Sequence, residues 1–389
     1  MQIPRNFLPS QRGSSPSVAE QLQARARKLE AGGVDVRYLN VGQPRTGAPK
    51  GTVEAIVAAS ASSSMGYESA AGITPLRKRL ALQYAEQNDV EVDPDRIIVT
   101  LGASGAIILS VVGCFDEGQR IGLPLPSYYG YRYAIETLGV HCVGFETRPE
   151  NHFQPTIADI EAIEGGIDGL VIASPSNPTG SMIPPAELRE LSEYCASREI
   201  RLISDEIYHG IVFDDDVPEL SGVACHPETI VVNSFSKYYS MAGWRLGWMV
   251  VPDYLTAPLS NLAHNLYLCP PTPAQVGAVH ALDCREELDG HVEHYRRNRD
   301  LMVERLPAMG FDRFSAPHGA FYLYCHVAHL HEDSVDFCIQ MLEEAGVLAA
   351  PGSDFCPDSG QHYVRFSYAG DRSDVEEALD RIEKWRGVS

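Results

Sequence analysis

Between residues 96 and 251 the chain repeats one pattern. A short run of apolar, often β-branched residues gives way to a longer stretch with apolar positions three and four apart. Arg96-Ile-Ile-Val-Thr-Leu101 predicts a buried strand, and residues 104–115 a helix behind it. Residues 120–123 predict a short strand and 131–138 a helix; residues 140–145, 169–173, 200–204, 230–233 and 246–251 predict further strands. Several of these runs are apolar on both faces, as strands of a covered, mostly parallel sheet are. The alternation predicts an α/β, doubly wound domain.

The flanks read differently. Ser17-Val-Ala-Glu20 has the spacing of a capping box, and Gly32-Gly33 is a stop for the helix it opens. Thr74-Pro75 starts a second helix with Leu76, Leu80 and Tyr84 on one stripe. Beyond about residue 270 the pattern predicts a charged helix over 286–309, a strand over 321–326, a helix over 334–344, a strand over 363–368 and a last helix over 373–385. This is a smaller α+β unit. The expected division is a large domain over 46–284 and a small one from 1–45 with 285–389, the first helix returning to the carboxyl-terminal part. Cys269-Pro-Pro-Thr-Pro273, at the handover, reads either as a stiff hinge or as a turn.

Composition narrows the function classes. With 389 residues, 44% hydrophobic and 21% charged, the chain is an ordinary globular protein. Its 31 Lys+Arg against 52 Asp+Glu give a formal charge of −21. That excess repels nucleic acid and anionic lipid, so neither is expected as a partner, though a local basic pocket for a small anion is compatible with it. The nine cysteines form no C-x-x-C pair, which predicts free thiols in a reducing compartment and no metal site. The first residues lack the apolar core of a signal peptide, and the longest apolar stretch, 106–115, is too short to span a bilayer. A cytoplasmic protein is expected.

The conspicuous polar residues fall where predicted strands end. Thr100-Leu-Gly-Ala-Ser104, Ser174-Pro-Ser-Asn-Pro-Thr-Gly180, Asp205 with Tyr208, and Ser234-Phe-Ser-Lys237 each follow one. Ligands of open α/β sheets bind outside the carboxyl ends of strands, so four converging segments predict one shared site. Taken singly, each has a plainer reading as a turn, a helix cap or a surface charge.

Together, Ser174-Pro-Ser-Asn-Pro-Thr-Gly180, Ser204-Asp-Glu-Ile-Tyr208, Ser234-Phe-Ser-Lys237 and Gly243-Trp-Arg-Leu-Gly247 resemble the signature segments of class I aminotransferases, pyridoxal-phosphate (PLP) enzymes of fold type I, aspartate/aromatic aminotransferase-like. Asn40-Val-Gly-Gln-Pro44, Pro317-His-Gly-Ala-Phe-Tyr322, Pro351-Gly-Ser-Asp-Phe355 and Val364-Arg-Phe-Ser-Tyr368 extend the likeness, in order, over residues 17–386. The resemblance implies that Lys237 is stored as a Schiff base with PLP and, once released, carries the proton from Cα. Asp205 then faces the ring nitrogen. An ion pair at about 4 Å is worth about 4 kcal/mol at an effective dielectric of 20, enough to keep a pyridinium at neutral pH. Asn177 and Tyr208 correspond to the pair on the phenolic oxygen.

By the same resemblance Ala103, Ser104 and Gly105, at a helix start, receive the phosphate with Ser234 and Arg245. Tyr67, in Gly66-Tyr-Glu-Ser-Ala-Ala-Gly72, resembles the tyrosine that reaches the neighbouring subunit's phosphate, which implies a homodimer with shared active sites. Tyr128 occupies the place of the ring stacked on the cofactor, with Tyr129 or Tyr131 as alternatives. Arg365 corresponds to the anchor of the substrate α-carboxylate, and the backbone N–H of Gly42 to its second contact. The residues after Gly105 are apolar, so a cation for a side-chain carboxylate is left to Arg45 or to an Arg of the partner subunit. The implied activity is transfer of the amino group of an L-α-amino acid, of aspartate or aromatic type, to a 2-oxo acid. A carbon–sulfur β-lyase would use the same residues, and a ligand-sensing regulator would carry a DNA-binding segment ahead of Ser17.

Overall fold

The capping box forms: Glu20 N–H donates to Ser17 Oγ at 3.2 Å and Ser17 N–H to Glu20 Oε2 at 2.9 Å. It opens α1 (Val18–Ala31), which ends on Gly32. The computed structural model describes residues 17–62, 64–213 and 216–388; the polar arm of residues 1–16 lies outside them. Strand β1 (Arg37–Tyr38) and helices α2 (Lys50–Ser62) and α3 (Thr74–Asn88) lead into the main sheet. Leu76, Leu80 and Tyr84 of α3 are buried as their spacing predicts.

The alternating region runs β2 (Ile97–Thr100), α4 (Gly102–Cys114), β3 (Arg120–Leu125), α5 (Tyr129–Thr137), β4 (His141–Glu146), α6 (Ile157–Glu161) and β5 (Gly169–Ala173). It continues through α7 (Pro185–Ser197), β6 (Arg201–Asp205), β7 (Ile230–Ser234) and β8 (Gly247–Val250). These strands make one seven-stranded sheet in the order β2-β8-β7-β6-β5-β3-β4. β8 is antiparallel to both neighbours, β2 and β7, and the other pairings are parallel. Every residue of β2, β7 and β8 is buried, which matches their all-apolar or short-polar sequences. The α/β architecture expected from periodicity is present.

Then follow α8 (Asp253–Tyr267), α9 (Thr272–Ala281), α10 (Arg285–Arg305), β9 (Tyr322–His326), α11 (Ser334–Gln340), β10 (Val347–Leu348), β11 (Ala350–Pro351), β12 (Tyr363–Ser367) and α12 (Arg372–Arg386). β11, β12 and β9 form an antiparallel sheet. The amino-terminal segment joins it through backbone. β1 pairs in parallel with β10, and Ser367 N–H donates to Leu39 O at 2.6 Å. The Asp354 carboxylate accepts from the first free amides of α1, Val18 N–H at 3.0 Å and Ala19 N–H at 2.7 Å.

The proline-rich segment starts α9. Pro271 is the N-cap and Pro273 sits in the first turn, where a missing N–H costs nothing. Buried Gln275 pins it, donating to Pro270 O at 2.9 Å and accepting from Ile73 N–H at 2.8 Å. Among the described residues no helix is long and apolar enough to cross a membrane, and all nine cysteines are free thiols.

Candidate active site

At the carboxyl ends of β5, β6 and β7 the chain encloses a cavity of about 840 Å³. Each polar segment singled out in the sequence reaches it. Lys237 and Arg245 both come from the connection between β7 and β8, Asp205 from the end of β6, Asn177 from the segment after β5, and Arg365 from β12. Ala103, Ser104, Tyr128, Tyr208 and Gly42 also line it. Gly105, Ser234 and Tyr67 are not on its wall. Gly105 lies one residue further along α4. Ser234 Oγ faces inward, donating to Leu246 O at 3.0 Å, while Ser236 lines the cavity instead. Tyr67 is 85% exposed.

Lys237 Nζ donates to Gly42 O at 2.5 Å and lies 5.8 Å from the centre of the Tyr208 ring. Loss of water around the amine pushes its pKa down to about 8; the guanidiniums of Arg365 and Arg245 push the same way, and the Asp205 carboxylate opposes them. The Gly42 contact therefore uses the carbonyl; its N–H was the group expected to serve substrate. A side chain at 42 would not fit, because its Cβ would fall 2.1 Å from Tyr322 Oη.

Asp205 is buried, and burial raises its pKa to about 6. Two donors work against that: Tyr131 Oη at 2.6 Å to Oδ2 and Ile207 N–H at 3.0 Å to Oδ1. Tyr131 is thus tied to Asp205 and turned edge-on to Tyr128, centroids 5.5 Å apart at 90°. Of the three rings weighed for stacking, it is the one whose hydroxyl is committed to Asp205. Tyr208 and Tyr322 share a hydrogen bond at 2.7 Å between their hydroxyls.

Arg365 is buried between two aromatic rings, its guanidinium carbon 4.4 Å from the centre of Tyr322 and 4.7 Å from that of Phe355. Nη1 donates to Asn177 Oδ1 at 2.7 Å and Nη2 to Asn40 O at 2.5 Å. At the opposite end the amino terminus of α4 opens beside Arg245. Gly102 has φ +72, and a Cβ there would lie 2.6 Å from Arg245 Nη2. Free helix amides next to a guanidinium make an anion cradle. Arg45 is exposed and does not line the cavity.

Below the wall, His209 ties two of these segments together. Its Nε2 donates to Ser174 O at 3.1 Å, and its Nδ1 lies 3.5 Å from buried Glu206 and 3.8 Å from Glu219. Glu206 is further held by Ser204, Ser221 and Gly222 N–H. Sequence reasoning did not single out Tyr131's hydroxyl, Tyr322, Ser236 or His209 as parts of the site. The Gly-Ala-Phe-Tyr322 and Ser236-Lys237 motifs carried the signal for two of them.

Comparison with known proteins agrees with this geometry. The family model described as aminotransferase class I and II matches residues 34–382. A valine–pyruvate aminotransferase of Mycobacterium tuberculosis is 40% identical over 353 residues, covering 90% of this chain and 91% of that protein. An aspartate aminotransferase of Pyrococcus abyssi is 32% identical over 367 residues, covering 92% and 93%. The crystal structure of an aminotransferase from Mycobacterium tuberculosis superposes with a TM-score of 0.95 at 38% identity, covering 98% of this chain and 100% of that one. Thermus thermophilus aspartate aminotransferase with maleate gives 0.90 at 32% identity, covering 97% and 99%. Sequence likeness, fold and the convergence of strand ends on one cavity lead to the same conclusion: the chain belongs to the class I and II aminotransferases, and is a PLP-dependent aminotransferase of fold type I.

Proposed function

We propose that the cavity takes PLP and moves the amino group of a neutral, apolar L-α-amino acid to a 2-oxo acid. The donor set fits the cofactor. The anion cradle of Ala103, Ser104 and Arg245 suits its phosphate, with Gly105 and Ser234 supporting it from behind the wall. Asn177 and Tyr208 suit its phenolic oxygen, Asp205 its ring nitrogen, Tyr128 its ring face, and Lys237 its aldehyde. When bound, PLP supplies a carbonyl carbon for the amino group and a ring that accepts electrons from Cα. The chain's own residues do the rest. Arg365 presents a fork to the substrate α-carboxylate and so fixes which Cα bond faces Lys237. Lys237, with its pKa lowered toward neutrality, takes and returns the proton at Cα. Asp205 keeps a proton opposite its carboxylate.

The observation that carries the substrate class is a count of cations. Among the described residues only Lys237, Arg245 and Arg365 line the cavity, and each already has a task. The rest of the wall includes Val41, Ile107, Ile108, Leu138 and Phe355. Within one chain a second carboxylate would enter without a partner, which is costly; an Arg of a second copy would be needed to receive it. The relative named valine–pyruvate aminotransferase supports the same choice. Free thiols support a cytoplasmic setting, and exposed Val57, Tyr67 and Leu266 support pairing with a second copy, with Tyr67 completing the other copy's cradle. The test is a half-reaction titration of the purified protein with single amino acids. Conversion of the cofactor band by valine, alanine or phenylalanine ahead of aspartate is expected; preference for aspartate would refute the substrate assignment.

A further inference from the structure

We propose that Tyr131 is a positioning residue for Asp205: its phenol holds the carboxylate as an ionised acceptor toward the cavity, while its ring braces Tyr128. This rests on the reading of Asp205 as the partner of a ring nitrogen. A carboxylate at the end of a central strand, buried among apolar neighbours, is either protonated or held by donors. The structure supplies two. Ile207 N–H takes Oδ1 at 3.0 Å, and Tyr131 Oη takes Oδ2 at 2.6 Å, the range of a charge-assisted bond. The phenol itself is buried, and burial together with Asp205 raises its pKa well above the usual value, so it acts as a donor only.

The charged and titratable groups that act on Asp205 come from three places. Glu206 and His209 lie on its own turn, Tyr128 and Tyr131 on the α5 segment, and Lys237 after β7. Glu206 favours protonation of Asp205, whereas the Tyr131 hydroxyl opposes it. If Asp205 took up a proton, it would no longer stabilise one on a ring nitrogen opposite. The second half of the role is steric. Tyr128 packs over Gly130, where a Cβ would lie 2.4 Å from the Tyr128 ring, and meets Tyr131 edge-on. One side chain of α5 thereby touches both the residue expected at the edge of the cofactor ring and the residue expected on its face.

Tyr131→Phe keeps the ring and removes only the hydroxyl. The full-length chain and this variant would each be loaded with PLP carrying ¹⁵N in the ring, and the ring-nitrogen shift followed by NMR as pH is raised. In parallel, affinities would be measured for PLP and for its 1-deaza analogue, in which carbon replaces that nitrogen. In the variant the ring nitrogen is expected to lose its proton at lower pH. PLP binding is expected to weaken on the order of tenfold, while the deaza analogue binds within about twofold of the unsubstituted chain. A ring-nitrogen titration unchanged by the substitution, or an equal loss for both compounds, would overturn the inference and leave Tyr131 as a packing residue. Absence of PLP binding by the unsubstituted chain would overturn the reading of the cavity and this inference with it.

Discussion

Arg365→Lys keeps the charge and changes its shape, so it isolates what the planar fork contributes. The guanidinium bridges Asn177 Oδ1 at 2.7 Å and Asn40 O at 2.5 Å while lying between the rings of Tyr322 and Phe355. An ammonium retains most of the attraction to the rings but cannot hold both acceptors and both oxygens of a substrate carboxylate. Losing one charge-assisted bond to the substrate costs about 2–3 kcal/mol, or roughly 30- to 150-fold in kcat/KM. Because amino acid and oxo acid both bring a carboxylate, KM should rise for both substrates. Steady-state kinetics with each substrate varied, alongside the cofactor absorbance and melting temperature of the variant, would measure this. A kcat/KM within threefold of the unsubstituted chain would refute the reasoning. So would a loss explained entirely by missing cofactor, since Arg365 would then be a clamp between Asn40 and Asn177 and no substrate anchor.

Gly42→Ala drives a methyl into Tyr322 Oη and should cost about 1–3 kcal/mol, seen as a lower melting temperature together with weakened activity. Binding of PLP to the cofactor-free chain should accelerate as pH rises to about 8, where Lys237 loses its proton, and level off above it; a stopped-flow rate that keeps climbing toward pH 10.5 would show that the amine is unperturbed. Burial and the neighbouring His329, Arg313 and His362 lower the pKa of His326. The unfolded chain therefore binds this proton first, and stability should fall as pH drops below about 6.5, less so in His326→Gln, by denaturant titration. Mixing Lys237→Ala with Tyr67→Ala should regain activity through hybrids holding one intact site; mixtures no better than the parents would argue against sharing.

The main sheet was legible because buried parallel strands have almost no freedom of composition. Ile97–Thr100 and Ile230–Ser234 can be little else. Helices α2 and α8 carried weaker marks. The first has neither acidic nor basic residues to complement its ends. The second has Asp253 in its first turn and His264 in its last, but Pro258 inside it interrupts the helical pattern. The site was legible where chemistry demands a residue type at a strand end, as at Asp205 and Lys237. Tyr131 and Tyr322 were hidden because a tyrosine's hydroxyl partner depends on elements far away in sequence, Asp205 for one and Tyr208 for the other. The Gly42 carbonyl was hidden for another reason: backbone groups leave no trace in residue identity.

The antiparallel turn of β8 against β7 has a consequence for how this protein can change. Ser234 pairs with Gly247, so the twelve residues between them form a closed loop hung from one rung of the sheet. The amine of Lys237 and the guanidinium of Arg245 both ride on that loop. They travel as a single cassette, and an insertion or deletion inside it alters both at once. Variation in what the cavity accepts is thereby pushed toward the other contributors, α1, the 40–44 segment and β12, which can be exchanged without disturbing the spacing of those two charges.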